Sequence, residues 1–121
     1  VNIETALKEA MSLDGAIGAA VVDYDSGMSL GSLGGGQGLD LELAAAGNTE
    51  VVRAKMRTLA SLDMDDVIED ILITLGKQYH LIRPLTSSQG SLFFYVALDR
   101  TRSNLALARH GLRRIENGLE I

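Results

Sequence analysis

The chain has 121 residues, 46% of them apolar, no cysteine and a formal net charge of -5. That length fits one domain, residues 1–121, with one core, and no window is long and apolar enough to span a membrane. The acidic balance argues against a nucleic-acid or anionic-membrane surface as the main business, and the lack of thiols removes disulfide and thiolate chemistry. No N-terminal stretch has the basic, apolar, small-residue order of a signal peptide, so a cytoplasmic home is expected.

Taken in order, residues 2–12 predict a short helix. Ile3, Leu7 and Met11 recur at fours, Glu4, Lys8 and Glu9 turn to water, and Asp14-Gly15 stops it. Residues 16–23 (AIGAAVVD) form a continuous small-apolar run, the pattern of a central strand covered on both faces. Turn chemistry follows at Asp23-Tyr24-Asp25-Ser26-Gly27, and residues 28–33 return as the second strand of a hairpin. Gly34-Gly35-Gly36-Gln37-Gly38 then leads into a helix. Such a loop can cradle phosphate on free amides. Here no Lys-Ser or Lys-Thr follows, and no acidic residue closes a dinucleotide unit, so a connector ending on Asp40 as helix cap is the better reading.

Residues 39–62 predict one long helix, about 36 Å at the usual rise per residue. It carries two apolar stripes. Leu41, Ala45, Val52, Met56 and Leu59 make the first; Leu43, Gly47, Val51, Ala54 and Leu62 make the second. A helix lying on one sheet needs a single stripe. Gly47 follows Ala44-Ala45-Ala46, and a helical glycine costs about 1 kcal/mol against alanine, tolerable where another backbone comes close. The expectation is a helix with its sheet on one side and a partner on the other, against the alternative of full burial within a single chain.

Residues 63–75 are ambiguous. Val67, Ile68, Ile71, Leu72 and Leu75 fit a helical face opposite Asp65, Asp66, Glu69 and Asp70, and the pattern alone favours helix. The β-branched content and the turn-like Gly76-Lys77 favour a strand. Residues 78–85 read as a strand ended by Pro84, residues 86–90 as a turn, and residues 91–99 (SLFFYVALD) as a second central strand. Asp99, Thr101 or Ser103 is positioned to cap a last helix. There Leu105, Ala108, Leu112, Ile115 and Leu119 repeat at threes and fours, Arg109, Arg113 and Arg114 lie outside, and Gly118 sits at the C-cap.

Candidate catalytic groups do not converge. His80 and His110 have no nearby partner for a metal or nucleophile, and Ser87, Ser88 and Asp99 lack a nucleophile elbow. Asp63, Asp65 and Asp66 resemble the start of a calcium loop, but Val67 takes the next ligand position and no Gly-x5-Glu follows. No catalytic residue, cofactor or metal is expected.

Two segments, DGAIGAAVVDYDSGMSLGS from Asp14 and SNLALARHGLRRI from Ser103, resemble the opening and closing motifs of the roadblock (dynein light-chain) family. Ala106 stands where that family commonly has glycine. The resemblance spans residues 11–115 and rests on order and spacing. It implies an α+β, roadblock/profilin-like fold. Its five-stranded antiparallel sheet has the order 2-1-5-4-3, with the long helix on one face and two terminal helices on the other. It also resolves residues 66–75 as strand 3, an edge carrying Glu69 and Asp70.

In that family two copies pair through strand 3 and their long helices, so a homodimer is implied, with Gly47, Val51, Ala54, Ile68, Asp70, Leu72 and Thr74 at the interface. Like charges facing across a twofold axis repel, so Asp70 is expected not to face its copy. The resemblance is to bacterial members, like the actinobacterial components encoded beside a sensor-kinase-like protein and a small GTPase. It implies a non-enzymatic, dimeric regulator or scaffold acting on a Ras-like GTPase. The expected partner surface is Glu42, Asn48, Val52, Arg53, Lys55, Met56, Arg57 and Leu59, with Val52, Met56 and Leu59 as hot spots. Arg53 and Arg57, one turn apart, are the candidates for an arginine finger, a device worth about 10³ to 10⁵ in rate. The competing readings are a small-molecule sensor with the glycine loop as lid, and a structural adaptor with no GTPase partner.

Overall fold

Asn2 starts the first helix by accepting a hydrogen bond from the Thr5 amide at 2.9 Å. It does so in the computed structural model, which describes residues 1–36, 38–86 and 90–120. The elements that follow are α1 (Ile3–Met11), β1 (Ala16–Asp23), β2 (Ser29–Gly34), α2 (Leu41–Ser61), β3 (Ile71–Thr74), β4 (Gln78–Pro84), β5 (Leu92–Asp99) and α3 (Leu105–Gly118). The strands form one five-stranded antiparallel sheet in the order β2-β1-β5-β4-β3, as the resemblance implied.

The central strands explain why their sequences run without polar alternation. Along β1 and β5, Ala19, Val21, Phe94, Val96 and Leu98 bury against Ala6, Leu7 and Ala10 of α1 and Ala108, Leu112 and Ile115 of α3. Their neighbours Ala20, Val22, Phe93, Tyr95 and Ala97 bury on the opposite face, against Ala45 and Val52 of α2. Each large side chain so buried contributes about 1.5–3 kcal/mol relative to exposure. Both faces of the sheet must therefore be covered, and α2 alone covers one of them.

The hairpin turn closes through Gly27, whose amide donates to the Asp23 carbonyl at 2.7 Å. At the far end of β2, Gly34 has φ 76°, and a Cβ there would sit 2.6 Å from the Ile17 carbonyl oxygen. Only glycine fits where the chain leaves the hairpin and crosses toward α2. Asp40 then caps α2, accepting from the amides of Glu42 and Leu43 at 3.1 and 3.2 Å. Gln37 of the glycine-rich loop lies outside the described residues.

Residues 63–75 follow the resemblance, which implied a strand, and not the helix-like pattern; three finer expectations, the length of that strand and the two caps of α3, are corrected. Residues 63–75 hold no helix: Asp63 takes φ 55° as α2 ends, residues 64–70 lie outside any helix or ladder, and β3 occupies only Ile71–Thr74. The reason is two-sided burial. Ile71 and Ile73 pack under α2 while Leu72 packs on the opposite face. A helix would have left β4 without its neighbour. The strand is also shorter than the expected residues 66–75, so Glu69 and Asp70 precede it. Finally, Asn104 caps α3, its Oδ1 accepting from the Leu107 amide at 3.1 Å; Asp99 instead accepts from the Thr101 amide and hydroxyl. Gly118 is the last residue of α3, with Leu119 as its cap.

Candidate interaction surface

The two stripes of α2 meet different surroundings. Ala45, Asn48, Thr49 and Val52 are buried, with Leu41, Ala44, Val51 and Met56 packed beside them. The second stripe, half-buried Val51 apart, stays open: Leu43 is 72% exposed, Leu62 61%, and Gly47 and Ala54 are exposed. A Cβ on Gly47 would meet nothing within 4 Å. Nothing among the described residues accounts for that bare stretch of helix. Beside it runs β3, hydrogen-bonded to β4 on one side only.

Between the open shoulder of α2 and this edge lies a groove of about 530 Å³, lined by Val51, Ala54, Lys55, Thr58, Ile68, Asp70 and Ile71. Four of the seven residues expected at a dimer interface, Val51, Ala54, Ile68 and Asp70, line it together. Thr74 is exposed at the end of the edge strand, and Leu72 turns to the α1 and α3 side of the sheet.

Asp70 is already engaged. Arg109 donates to it twice, Nε to Oδ2 at 3.0 Å and Nη2 to Oδ1 at 3.2 Å. One residue earlier, the Glu69 carbonyl accepts from Arg83 Nη1 at 3.3 Å. Arg83 in turn donates through Nε to Glu116 Oε1 at 2.7 Å, and Glu116 Oε2 accepts from the Thr86 amide at 2.9 Å. The pair is buried, its side chains 12% and 4% exposed. These clasps fix where the chain enters β3. The sequence pattern put Arg109 on the outer face of α3 and gave Arg83 and Glu116 no role, because charged residues on a helix or strand normally read as solvated.

A second polar assembly crosses the core under α2. The Tyr95 hydroxyl meets His80 Nδ1 at 3.1 Å, and His80 Nε2 meets Gln78 Oε1 at 2.7 Å. With Tyr95 as donor, the hydrogen-bond network assigns the imidazole proton to Nε2. Burial lowers the His80 pKa. Burial also pushes the Tyr95 hydroxyl up to about 12, against a smaller opposing pull from the Asn48 side chain. Asn48, on α2, is itself buried.

Two of the expected partner-contacting residues are therefore corrected. Val52 is 0% exposed against its own sheet, and Asn48 lies in the buried polar assembly, so neither presents a side chain to another protein. Their positions on the wheel of α2 put them between Ala45 and Met56, on the sheet side. Glu42, Arg53, Lys55 and Arg57 are exposed, and Met56 and Leu59 are half-buried. Lys55 points to the groove beside β3.

His110 is exposed, Ser87 and Ser88 lie outside the described residues, and the hydrogen bonds from Thr101 lower the pKa of Asp99. Among the described residues no group of three or more His, Asp or Glu side chains could hold a metal ion. No helix among them is long and apolar enough to cross a membrane.

No protein-family model and no curated protein matches the sequence. Solved structures do match the fold. A roadblock/LC7 domain from Streptomyces avermitilis superposes with a TM-score of 0.80 at 11% identity, over 98% of this chain and 94% of that one. The fold is that of the roadblock proteins. Myxococcus xanthus MglB matches with a TM-score of 0.74 at 18% identity, over 93% of this chain and 84% of that one. A structure described as MglB with a tetrameric arrangement matches at 0.68 and 16% identity, over 95% and 88%. In this chain β3 is an outer strand of the sheet, and the groove at its start is walled by Val51, Ala54 and Thr58 of α2.

Proposed function

We propose that this is a roadblock-type regulatory or scaffold protein, one domain over residues 1–121, that pairs with a second copy of itself and binds a small Ras-like GTPase. The observation that carries the reading is the groove of Val51, Ala54, Thr58, Ile68 and Ile71 beside an edge strand paired on one side only. An antiparallel partner strand would complete the sheet, and the second copy's long helix would cover the bare turn at Gly47. In such a pairing Asp70, held by Arg109, would not face its own copy across the twofold axis, where like charges repel. The tetrameric arrangement of an MglB structure supports self-association as a habit of the fold.

The GTPase reading rests on the roadblock resemblance together with what the exposed top of α2 offers: Glu42, Arg53 and Arg57 around half-buried Met56 and Leu59. No catalytic constellation is invoked; ordering of the GTPase's own switch residues is sufficient. The test is a pull-down of Ras-like GTPases from the native host, each loaded with GDP or a non-hydrolysable GTP analogue. Binding that differs between the two states is the expected result; equal absence of binding in both sinks the reading. GTP turnover with Arg53→Ala and Arg57→Ala separates the two modes of activation. Losses under about tenfold dismiss an arginine finger.

A further inference from the structure

We propose that residues 62–69, with the crater beside them, form a docking site for a basic amphipathic peptide segment of a partner protein. The stretch reads Leu-Asp-Met-Asp-Asp-Val-Ile-Glu and mixes two kinds of unsatisfied group. Leu62, Met64 and Val67 rank among the exposed large hydrophobic side chains of the molecule. Asp63, Asp65, Asp66 and Glu69 are all exposed, and none of their side chains takes part in an ion pair among the described residues.

Beside them lies a crater of about 500 Å³ whose apolar lining includes Met56, Leu59, Ala60, Met64, Val67 and Ile68. Among the described residues Asp66 is the only charged side chain lining it. Lys55, Arg109 and Arg113 line an adjoining groove that shares Leu59, Asp66, Val67 and Ile68 with the crater; Arg109 is already held by Asp70, so the four exposed carboxylates outnumber the remaining two cations. The crater therefore offers room for aliphatic anchors, and the rim offers carboxylates for Lys or Arg flanking them.

The segment is also held ready. Its last residues are pinned through the Glu69 carbonyl by Arg83 and through Asp70 by Arg109, which lowers the ordering cost of binding. Charge decides the occupant. A nucleic acid or an anionic membrane is repelled by the rim, and a second copy would bring like carboxylates together. The site shares Ile68 with the groove proposed for self-pairing and Met56 and Leu59 with the surface proposed for a GTPase, but Asp63, Met64, Asp65 and Val67 belong to neither.

The test uses the full chain and a fluorescein-labelled peptide of 14 residues, with Leu at i, i+3, i+4 and i+7 repeats and Lys elsewhere, followed by anisotropy. Saturable binding is expected. Asp65→Lys with Asp66→Lys, and separately Met64→Ser with Val67→Ser, should each weaken it by about tenfold or more. A matching peptide with Glu in place of Lys should not bind. All four positions are exposed, so circular dichroism should show both variants folded. Loss in the charge variant alone would mean bulk attraction to an acidic protein and would overturn the proposal. So would binding unaffected by either pair, or a self-association that disappears with Met64→Ser and Val67→Ser.

Discussion

Arg109 holds Asp70 with two nearly parallel hydrogen bonds, 3.0 and 3.2 Å, across 39 residues of sequence. The contact ties α3 to the residue just before β3, so it sets the direction in which the edge strand leaves. It also neutralises a carboxylate that would otherwise sit beside the open edge. With side chains 18% and 39% exposed, the pair is screened by water but geometrically strong.

Arg109→Ala and Asp70→Asn should each lower stability by about 1 kcal/mol, with the double variant little worse than either single one. Urea midpoints across the cycle measure this. Fully additive losses would mean that the two residues act independently.

The polar assembly under α2 makes stability depend on pH at both ends of the scale. His80 has its folded pKa lowered below 6.5 by burial, so the unfolded chain takes up the proton more readily. Its contribution is present above pH 6.5 and is lost as pH falls through the folded value. Tyr95, raised to about 12 from 10.0, behaves oppositely: its contribution is present below pH 10 and is lost as pH rises toward 12. Urea midpoints should thus fall on both sides of a neutral plateau. His80→Gln should flatten the part of the acid slope just below pH 6.5, and Tyr95→Phe the alkaline part that belongs to this hydroxyl.

The two faces of α2 should separate stability from association. Val52→Ala removes two buried methyl groups under the helix and should cost about 2 kcal/mol. Leu43→Ser, on a side chain 72% exposed, should change stability by no more than about 0.5 kcal/mol. Denaturant melts of the two variants check the assignment. A large loss for Leu43→Ser would place that side chain in the core.

Sequence pattern carried the sheet well because burial on both faces leaves a mark: β1 and β5 are the two unbroken apolar runs, and both lie inside the sheet. Asp40 and the turn at Asp23–Gly27 were legible because their chemistry is local. Residues 63–75 were not. Val67, Ile68, Ile71, Leu72 and Leu75 fall at helical spacing although only Ile71–Thr74 form a strand, so β-branched content and the turn at Gly76-Lys77 were weak signals against a helix. Only the pairing with β4 distinguishes strand from helix.

Within the surface, the open shoulder of α2 was visible as a surplus stripe, whereas Val52 and Asn48 were assigned to a partner because several apolar residues on one helix do not announce which face wins. Arg83 and Glu116 were missed altogether. A charge is read as solvated until its partner, 33 residues away, is seen beside it.

The central claim is that the edge strand and the bare shoulder of α2 are completed by a second copy. Sedimentation equilibrium on the wild-type chain and on Ala54→Arg, which places a long cation in the groove, tests it most directly. The account predicts a dimer for the wild type and a monomer of unchanged fold for the variant. A wild-type chain that remains monomeric at high micromolar concentration, or an Ala54→Arg variant that dimerises equally well, would contradict it.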